Sequence, residues 1–203
     1  RQVLVCVQML HIAGVVHADL KQRNILRVTS ASTGAAKWIL CDMDASANLD
    51  ERVGTKTSSG YAPPELARAR YANTDGDILH NAKHSFDIWS LGVIFFELCA
   101  GHTLFSQDTS NDELIEAHDQ TRLCTWHTMD DEMLSRVLRN SNATDEMRSD
   151  ARQLIRWCLK GHPDTRPTVT DLLHSRLLGP RDHALSSRAP RSHPMKYHGF
   201  LSH

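Results

Sequence analysis

The run "IWSLGVIFFELCAG", from Ile88 to Gly101, constrains this chain more than any other stretch. Ser90 and Glu97 are its only interruptions by polar side chains, and so evenly apolar an element has no face to offer water. It falls short of the roughly 18 apolar residues that a membrane span needs. It therefore reads as a helix through the middle of a core, running from Ser85 to Ala100 and closed by Gly101. Such a helix must be wrapped by other elements. The chain has 203 residues, enough for one domain plus a remnant, or for one domain cut from something larger.

The wrapping elements are mostly helical. "PPELARAR" starts a helix in which Pro64 is a favourable first-turn residue and Glu65 places negative charge near the N-terminus. In "SNDELIEAH", Ser110 and Glu113 stand at capping-box spacing. Met147, Ala151, Leu154, Ile155, Cys158 and Leu159 recur at helical spacing before the stop signals Gly161 and Pro163. "TVTDLLHSRLLG" ends likewise at Gly179. Two β-prone runs, "ILRVT" and "AAKWILCD", flank the turn-rich "SASTG" and predict a hairpin. Residues 2 to 12 are apolar on nearly every side, and Val3, Val5 and Val7 leave both helix and strand open. From Met43 to Ser59 the chain is polar and small-residue-rich, too long for a tight turn and so a candidate functional loop.

Composition narrows the classes. A net charge of −1 gives no global pull toward nucleic acid or an anionic membrane. The five cysteines never form C-x-x-C, which argues against a disulfide framework or a Cys-rich zinc site and fits a reducing, cytoplasmic setting. The start, "RQVLVCVQML", has neither Met nor the design of a signal peptide and reads as a cut edge.

Chemistry enters at "HADLKQRNIL", residues 17 to 26. A carboxylate, a lysine and an amide spaced D-x-K-x-x-N suit phosphoryl transfer: Asp19 to accept a hydroxyl proton, Lys21 to neutralise phosphate, Asn24 to ligate a metal. Alone, the triplet is equally a polar surface loop. It is followed, in order, by "CDMDA", "GYAPPE", "FDIWSLG" and "HPDTRPT". That ordered set resembles the C-terminal lobe of eukaryotic protein kinases, with "HADLKQRN" as catalytic loop, "DMD" at the D-F-G position and "PPE" at the A-P-E position.

The resemblance covers about residues 1 to 179 and implies a mainly α fold with a small β-hairpin, a kinase-like C-lobe of an α+β fold, in which the first segment is helix. It implies that Asp19 is the catalytic base, that Asn24 and Asp42 are magnesium ligands, and that Leu26 is the floor under the adenine of ATP. Lys21 beside the base is similar to the serine/threonine-specific branch, so the partner implied is a protein substrate. His17, Ser58, Asp87 and the ion pair Glu65–Arg166 are implied as structural supports.

Several positions depart from the family pattern. Ala18 stands where most members have an Arg that receives a phosphorylated activation-loop residue. Phosphate at Thr55, Thr57 or Ser59 would then lack a bidentate partner, and loop phosphorylation is not expected to be the main switch. Met43 for Phe preserves an apolar plug. Asp44 for Gly brings a side chain to a position where glycine's backbone freedom is usual, and offers a second metal ligand. None of the ten glycines forms G-x-G and no Lys precedes Lys21, so the phosphate-covering loop and the strand lysine would have to come from an upstream N-lobe. Residues 1 to 203 alone are expected to have negligible kinase activity. The alternative is a pseudokinase or orphan lobe that binds partners.

Smaller signals are read as structural. His80 and His84, four apart, lack a third ligand and read as solvated loop histidines, and "CTWH" reads as packing. Residues 180 to 203 carry three prolines and a basic excess and read as a linker or tail. Its last eight residues, "KYHGFLSH", weakly resemble the first strand of Toll/interleukin-receptor-type domains, the start of a possible second domain.

Overall fold

The computed structural model describes residues 1–54, 56–71, 80–139 and 143–179. The 180–203 tail, with its Toll/interleukin-receptor-like ending, lies outside them, as do Thr55, residues 72–79 and residues 140–142. Among the described residues there are seven α-helices and four short strands: α1 (Gln2–Ile12), β1 (Val15–Val16), β2 (Ile25–Thr29), β3 (Ala36–Leu40), β4 (Ala47–Asn48), α2 (Pro64–Tyr71), α3 (His84–Ala100), α4 (Ala117–Cys124), α5 (Asp131–Arg139), α6 (Asp145–Cys158) and α7 (Val169–Leu173).

The apolar run behaves as its composition requires. Every residue of α3 from Phe86 to Ile94 is buried, and the helix stops where Gly101, at φ +73°, takes the left-handed conformation and donates its N–H to the Glu97 carbonyl. Two large apolar clusters meet on this helix, and a smaller one gathers around its Phe86. On one side Trp89, Val93 and Phe96 pack with Leu123, Trp126, Leu134, Leu138, Ile155 and Leu159. On the other, Ile88 and Leu91 pack with Leu4, Val7, Leu20, Leu154 and Leu172. Gly92 lets α6 come close: a Cβ there would lie 2.7 Å from Cys158 Cβ and 2.8 Å from Leu159 Cδ2. The segment "CTWH" is packing, with Trp126 buried and its Nε1–H donated to the Leu159 carbonyl at 2.8 Å.

The first segment is helix, with Leu4 and Val7 inward. Strands β2 and β3 pair antiparallel, Ile25 opposite Leu40 and Thr29 opposite Ala36, as the hairpin signal predicts. The loop from Met43 to Ser59 is better fixed than its composition suggests: β4 lies antiparallel to β1, Val15 opposite Asn48. Two-residue strands have no periodicity to read. The Ser110–Glu113 capping box is not formed. That segment is a loop, α4 starts only at Ala117, and Glu113 instead engages Ser59 and Arg70. A capping box does form at α7, where Thr168 accepts from the Asp171 N–H while the Asp171 carboxylate accepts from the Thr168 N–H. At α6, Thr144 accepts from the Met147 N–H, and Met147 itself is 40% exposed rather than on the apolar stripe.

Candidate active site

The loop joining β1 to β2 is held from below by one carboxylate. Asp87, in the first turn of α3 and fully buried, accepts the Ala18 N–H on Oδ1 at 2.9 Å and the His17 N–H on Oδ2 at 3.0 Å. Its Oδ2 also lies 2.9 Å from His11 Nε2. These bonds hold Ala18 at φ +62°, a conformation that costs an L-residue roughly 1–2 kcal/mol. His17, buried, ties the loop to the strand that leads to Asp42, with Nε2 3.3 Å from the Cys41 carbonyl and Nδ1 3.4 Å from the Asp19 N–H.

Asp19 is the centre of the arrangement. Its Oδ1 accepts the Ser58 N–H at 2.9 Å, and its Oδ2 lies 3.3 Å from Asn24 Nδ2 and 2.9 Å from Lys21 Nζ. Asn24, on a 3-10 turn (Gln22–Asn24), also donates to the Asp19 carbonyl at 2.9 Å. With its nitrogen so committed, the amide oxygen is the end free to meet a ligand. Lys21 donates to Ser58 Oγ at 2.8 Å and lies 3.6 Å from Asp112 Oδ2. Ser58 therefore bridges Asp19 and Lys21, its N–H to the carboxylate and its hydroxyl to the ammonium.

Asp19, Lys21, Asp42, Asp44, Lys56 and Ser58 border one polar cleft of about 300 Å³. Asp42 follows β3, is exposed, and stands at φ +62°, whereas Asp44 does not have a positive φ. The strain expected at Asp44 is thus absent; its carboxylate turns to Lys56 at 3.5 Å in an exposed pair. Met43 is 39% exposed among the described residues. Leu26, on β2, is 44% exposed with Val28 two residues along at 48%, so this face of the hairpin is open and apolar.

The donors at this cleft are hard oxygens, the kind that divalent magnesium selects. No group of three or more His, Cys, Asp or Glu clusters as a metal cage among the described residues. This donor set fits magnesium, which binds through one or two carboxylates and completes its shell with water and substrate phosphates.

Around the cleft stands a buttress. Glu65 and Arg166 form a bidentate pair at 2.7 and 2.8 Å, with the Arg166 side chain fully buried. Arg166 also donates to the Ser85 and Lys160 carbonyls and lies over the Trp89 ring. It joins α2, α3 and the segment after α6. Ser59 is 1% exposed, its hydroxyl donating to Glu113 and accepting the Leu114 N–H; Thr57 is 8% exposed.

Some participants are invisible in the motif pattern. Asp112 holds Lys21 from the far side, although no spacing links residues 91 apart. Glu97, buried in α3, accepts from the Tyr61 hydroxyl and from Gln22, both at 2.8 Å, while its Oε1 has no partner. Burial pushes the Glu97 carboxyl above the usual range, and burial together with the Glu97 charge raises Tyr61. His84 is not a solvated loop residue. It opens α3 and its ring stacks on His11, centroids 4.1 Å apart, and burial with His11 alongside lowers its pKa. Its sequence signal was the same as that of any surface histidine.

Residues 1–178 match the family described as Protein kinase domain, and the chain belongs to that family. Among curated relatives, it is 28% identical over 177 residues to "Serine/threonine-protein kinase pim-2" of Danio rerio, covering 85% of this chain and 44% of that protein. It is 30% identical over 185 residues to the human "TBC domain-containing protein kinase-like protein", covering 87% of this chain and 20% of the relative. Among solved structures, the twitchin kinase region of C. elegans superposes with a TM-score of 0.60 at 26% identity, covering 90% of this chain and 28% of that one. The chain thus spans less than half the length of each. No helix among the described residues is long and apolar enough to cross a membrane.

Proposed function

We propose that this chain is the catalytic-loop half of a serine/threonine protein kinase, transferring the γ-phosphoryl group of ATP to a hydroxyl of a protein substrate. The observation that carries the reading is the Asp19 carboxylate, oriented by Ser58, Asn24 and Lys21 at the edge of an oxygen-lined cleft. In the reaction the substrate oxygen attacks the γ-phosphorus, its proton passes to Asp19, and the bond to the β–γ bridging oxygen breaks to release ADP. Lys21, 2.9 Å from Asp19, offsets charge that develops on the transferring phosphoryl group. Asn24 and Asp42 would hold magnesium, with Asp44 available as a second ligand; bound there, the ion neutralises phosphate charge. Leu26 supplies an apolar surface for the adenine ring, beneath an N-lobe that brings the remaining phosphate contacts.

Serine/threonine specificity is supported by Lys21 beside the base and by the likeness to the serine/threonine-protein kinase pim-2. The burial of Ser59 and Thr57 supports the view that the loop is set by packing rather than by a phosphate on either hydroxyl. A second reading, a partner-binding pseudokinase, is favoured by Ala18 and by the departure at Asp44. The two are separated by incubating the full-length protein with magnesium, ATP and a degenerate peptide mixture and identifying the phosphorylated residues. Phosphoserine and phosphothreonine are expected. Phosphotyrosine alone contradicts the serine/threonine assignment, no transfer contradicts the kinase reading, and no transfer with intact partner binding supports the second.

A further inference from the structure

A second cleft lies along α6 and shares no lining residue with the candidate active site. It measures about 470 Å³, and its lining includes Thr128, Ser149, Arg152, Arg156, Trp157 and Lys160. The three cations recur every four residues, so they lie along one side of the helix and the turn after it. No carboxylate is among the lining residues.

The cations are poorly matched by the rest of the molecule. Arg152 forms no ion pair among the described residues, and its Nε is buried without an acceptor. That Nε is closed off from solvent, so a ligand in the cleft would meet Arg152 through the terminal nitrogens of its guanidinium. Lys160 accepts from Arg166 through its carbonyl, but its ammonium meets no carboxylate among the described residues. Arg156 pairs with Asp131 at 2.7 Å, with both partners substantially exposed; such a surface pair is weak and readily exchanged. The C-terminal end of α6 opposes an anion through its dipole, an effect confined to the last turn. Arg156 and Lys160 stand at that end and offset it, while Arg152 lies deeper in the helix. Since the whole chain has a net charge of −1, this concentration of positive charge is local.

We propose that this cleft binds a phosphorylated peptide, the phosphoryl group lying between Arg152, Arg156 and Lys160. Guanidinium forks match phosphate oxygens and give the stronger, charge-assisted hydrogen bonds. The Thr128 and Ser149 hydroxyls suit peptide amides and carbonyls, and the part-buried Trp157 offers an apolar surface to a neighbouring side chain. A cleft of this size with an aromatic wall is roomier than a bare phosphate requires. The proposal rests on the kinase reading only for the origin of the ligand, since a kinase generates phosphopeptides; the binding itself needs neither ATP nor turnover.

The test titrates the full-length protein, without nucleotide, with a fluorescent phosphothreonine peptide, its unphosphorylated counterpart, inositol hexakisphosphate and inorganic phosphate. The phosphopeptide is expected to bind at least about tenfold more tightly than each of the others, and to weaken as salt is raised. The double variant R152Q/K160Q is expected to lose about tenfold or more in phosphopeptide affinity, with an unchanged melting temperature. In the wild-type protein, the Arg152 Nε–H resonance should shift as phosphopeptide is added, a readout independent of any variant's folding. Equal binding of both peptides, tighter binding of either soluble phosphate, or an unmoved Arg152 resonance overturns the proposal. Phosphotransfer to a short peptide is measured separately: its absence with phosphopeptide binding intact counts against the kinase reading alone.

Discussion

Single side chains set the loop between β1 and β2, and Asp87 does most of it. Replacing it by Ala strands the His17 and Ala18 N–H groups in the interior, at about 1–3 kcal/mol for each unsatisfied donor. Asp87→Ala is therefore expected to lower unfolding free energy by several kcal/mol in urea titration; a loss near zero would mean that the loop is held by other bonds. Glu97 works in the opposite sense. Its folded pKa lies above the ordinary glutamate value, so the folded state binds the proton more tightly than the unfolded one. Stability then falls as pH rises from the ordinary value through the raised one, and the cost persists at neutral pH. Glu97→Gln keeps an oxygen for the Tyr61 hydroxyl and removes the buried charge, so its melting temperature at neutral pH should equal or exceed the wild-type value and vary less with pH. A lower melting temperature at neutral pH and an undiminished pH dependence would show that the ionised carboxylate is favourable where it stands.

Elements are joined by a few contacts that single changes can break. The Glu65–Arg166 pair connects α2 to the segment after α6, and Arg166→Ala leaves a buried carboxylate with no counter-charge. A loss of about 3–5 kcal/mol is expected in denaturant unfolding; a loss under about 1 kcal/mol would place the pair with ordinary surface bridges. Where α3 meets α6, Gly92→Ala drives a methyl to within 3 Å of Cys158 and Leu159, costing about 1–3 kcal/mol if the helices hold their separation. At this scale the sequence is readable wherever a pattern is long. The apolar run predicts α3 and its glycine stop, the turn-rich "SASTG" predicts the hairpin, and α6 follows from its apolar spacing. Patterns fail where a motif is satisfied by something distant. Ser110 and Glu113 have the spacing of a cap, yet Glu113 is taken by Ser59 and Arg70 from another part of the chain. Strands β1 and β4 are too short for any period, and residues 2 to 12, apolar all round, are fixed as helix by packing against β3 and α7.

For the molecule as a whole, the ordered motifs locate the site before any coordinates, because each motif is local while their order along the chain is not. Asp19, Lys21, Asn24 and Ser58 lie within hydrogen-bond reach of one another, while Glu65 pairs with Arg166 and Asp87 holds the His17 and Ala18 N–H groups. Asp112 and Glu97 were illegible because they act through the tertiary fold, from a loop and from the far end of α3. The exposed Met43 and the positive φ of Asp42, rather than Asp44, likewise depend on how the loop closes over neighbouring strands. The central claim is that Asp19 accepts the substrate proton. Its most direct test is the rate of phosphoryl transfer from ATP by full-length wild-type protein and by Asp19→Asn, under saturating ATP and magnesium. The substitution should lower kcat by about 10²–10⁴-fold, as loss of a general base does, with little change in melting temperature or ATP affinity. Equal rates for the two proteins would contradict the assignment.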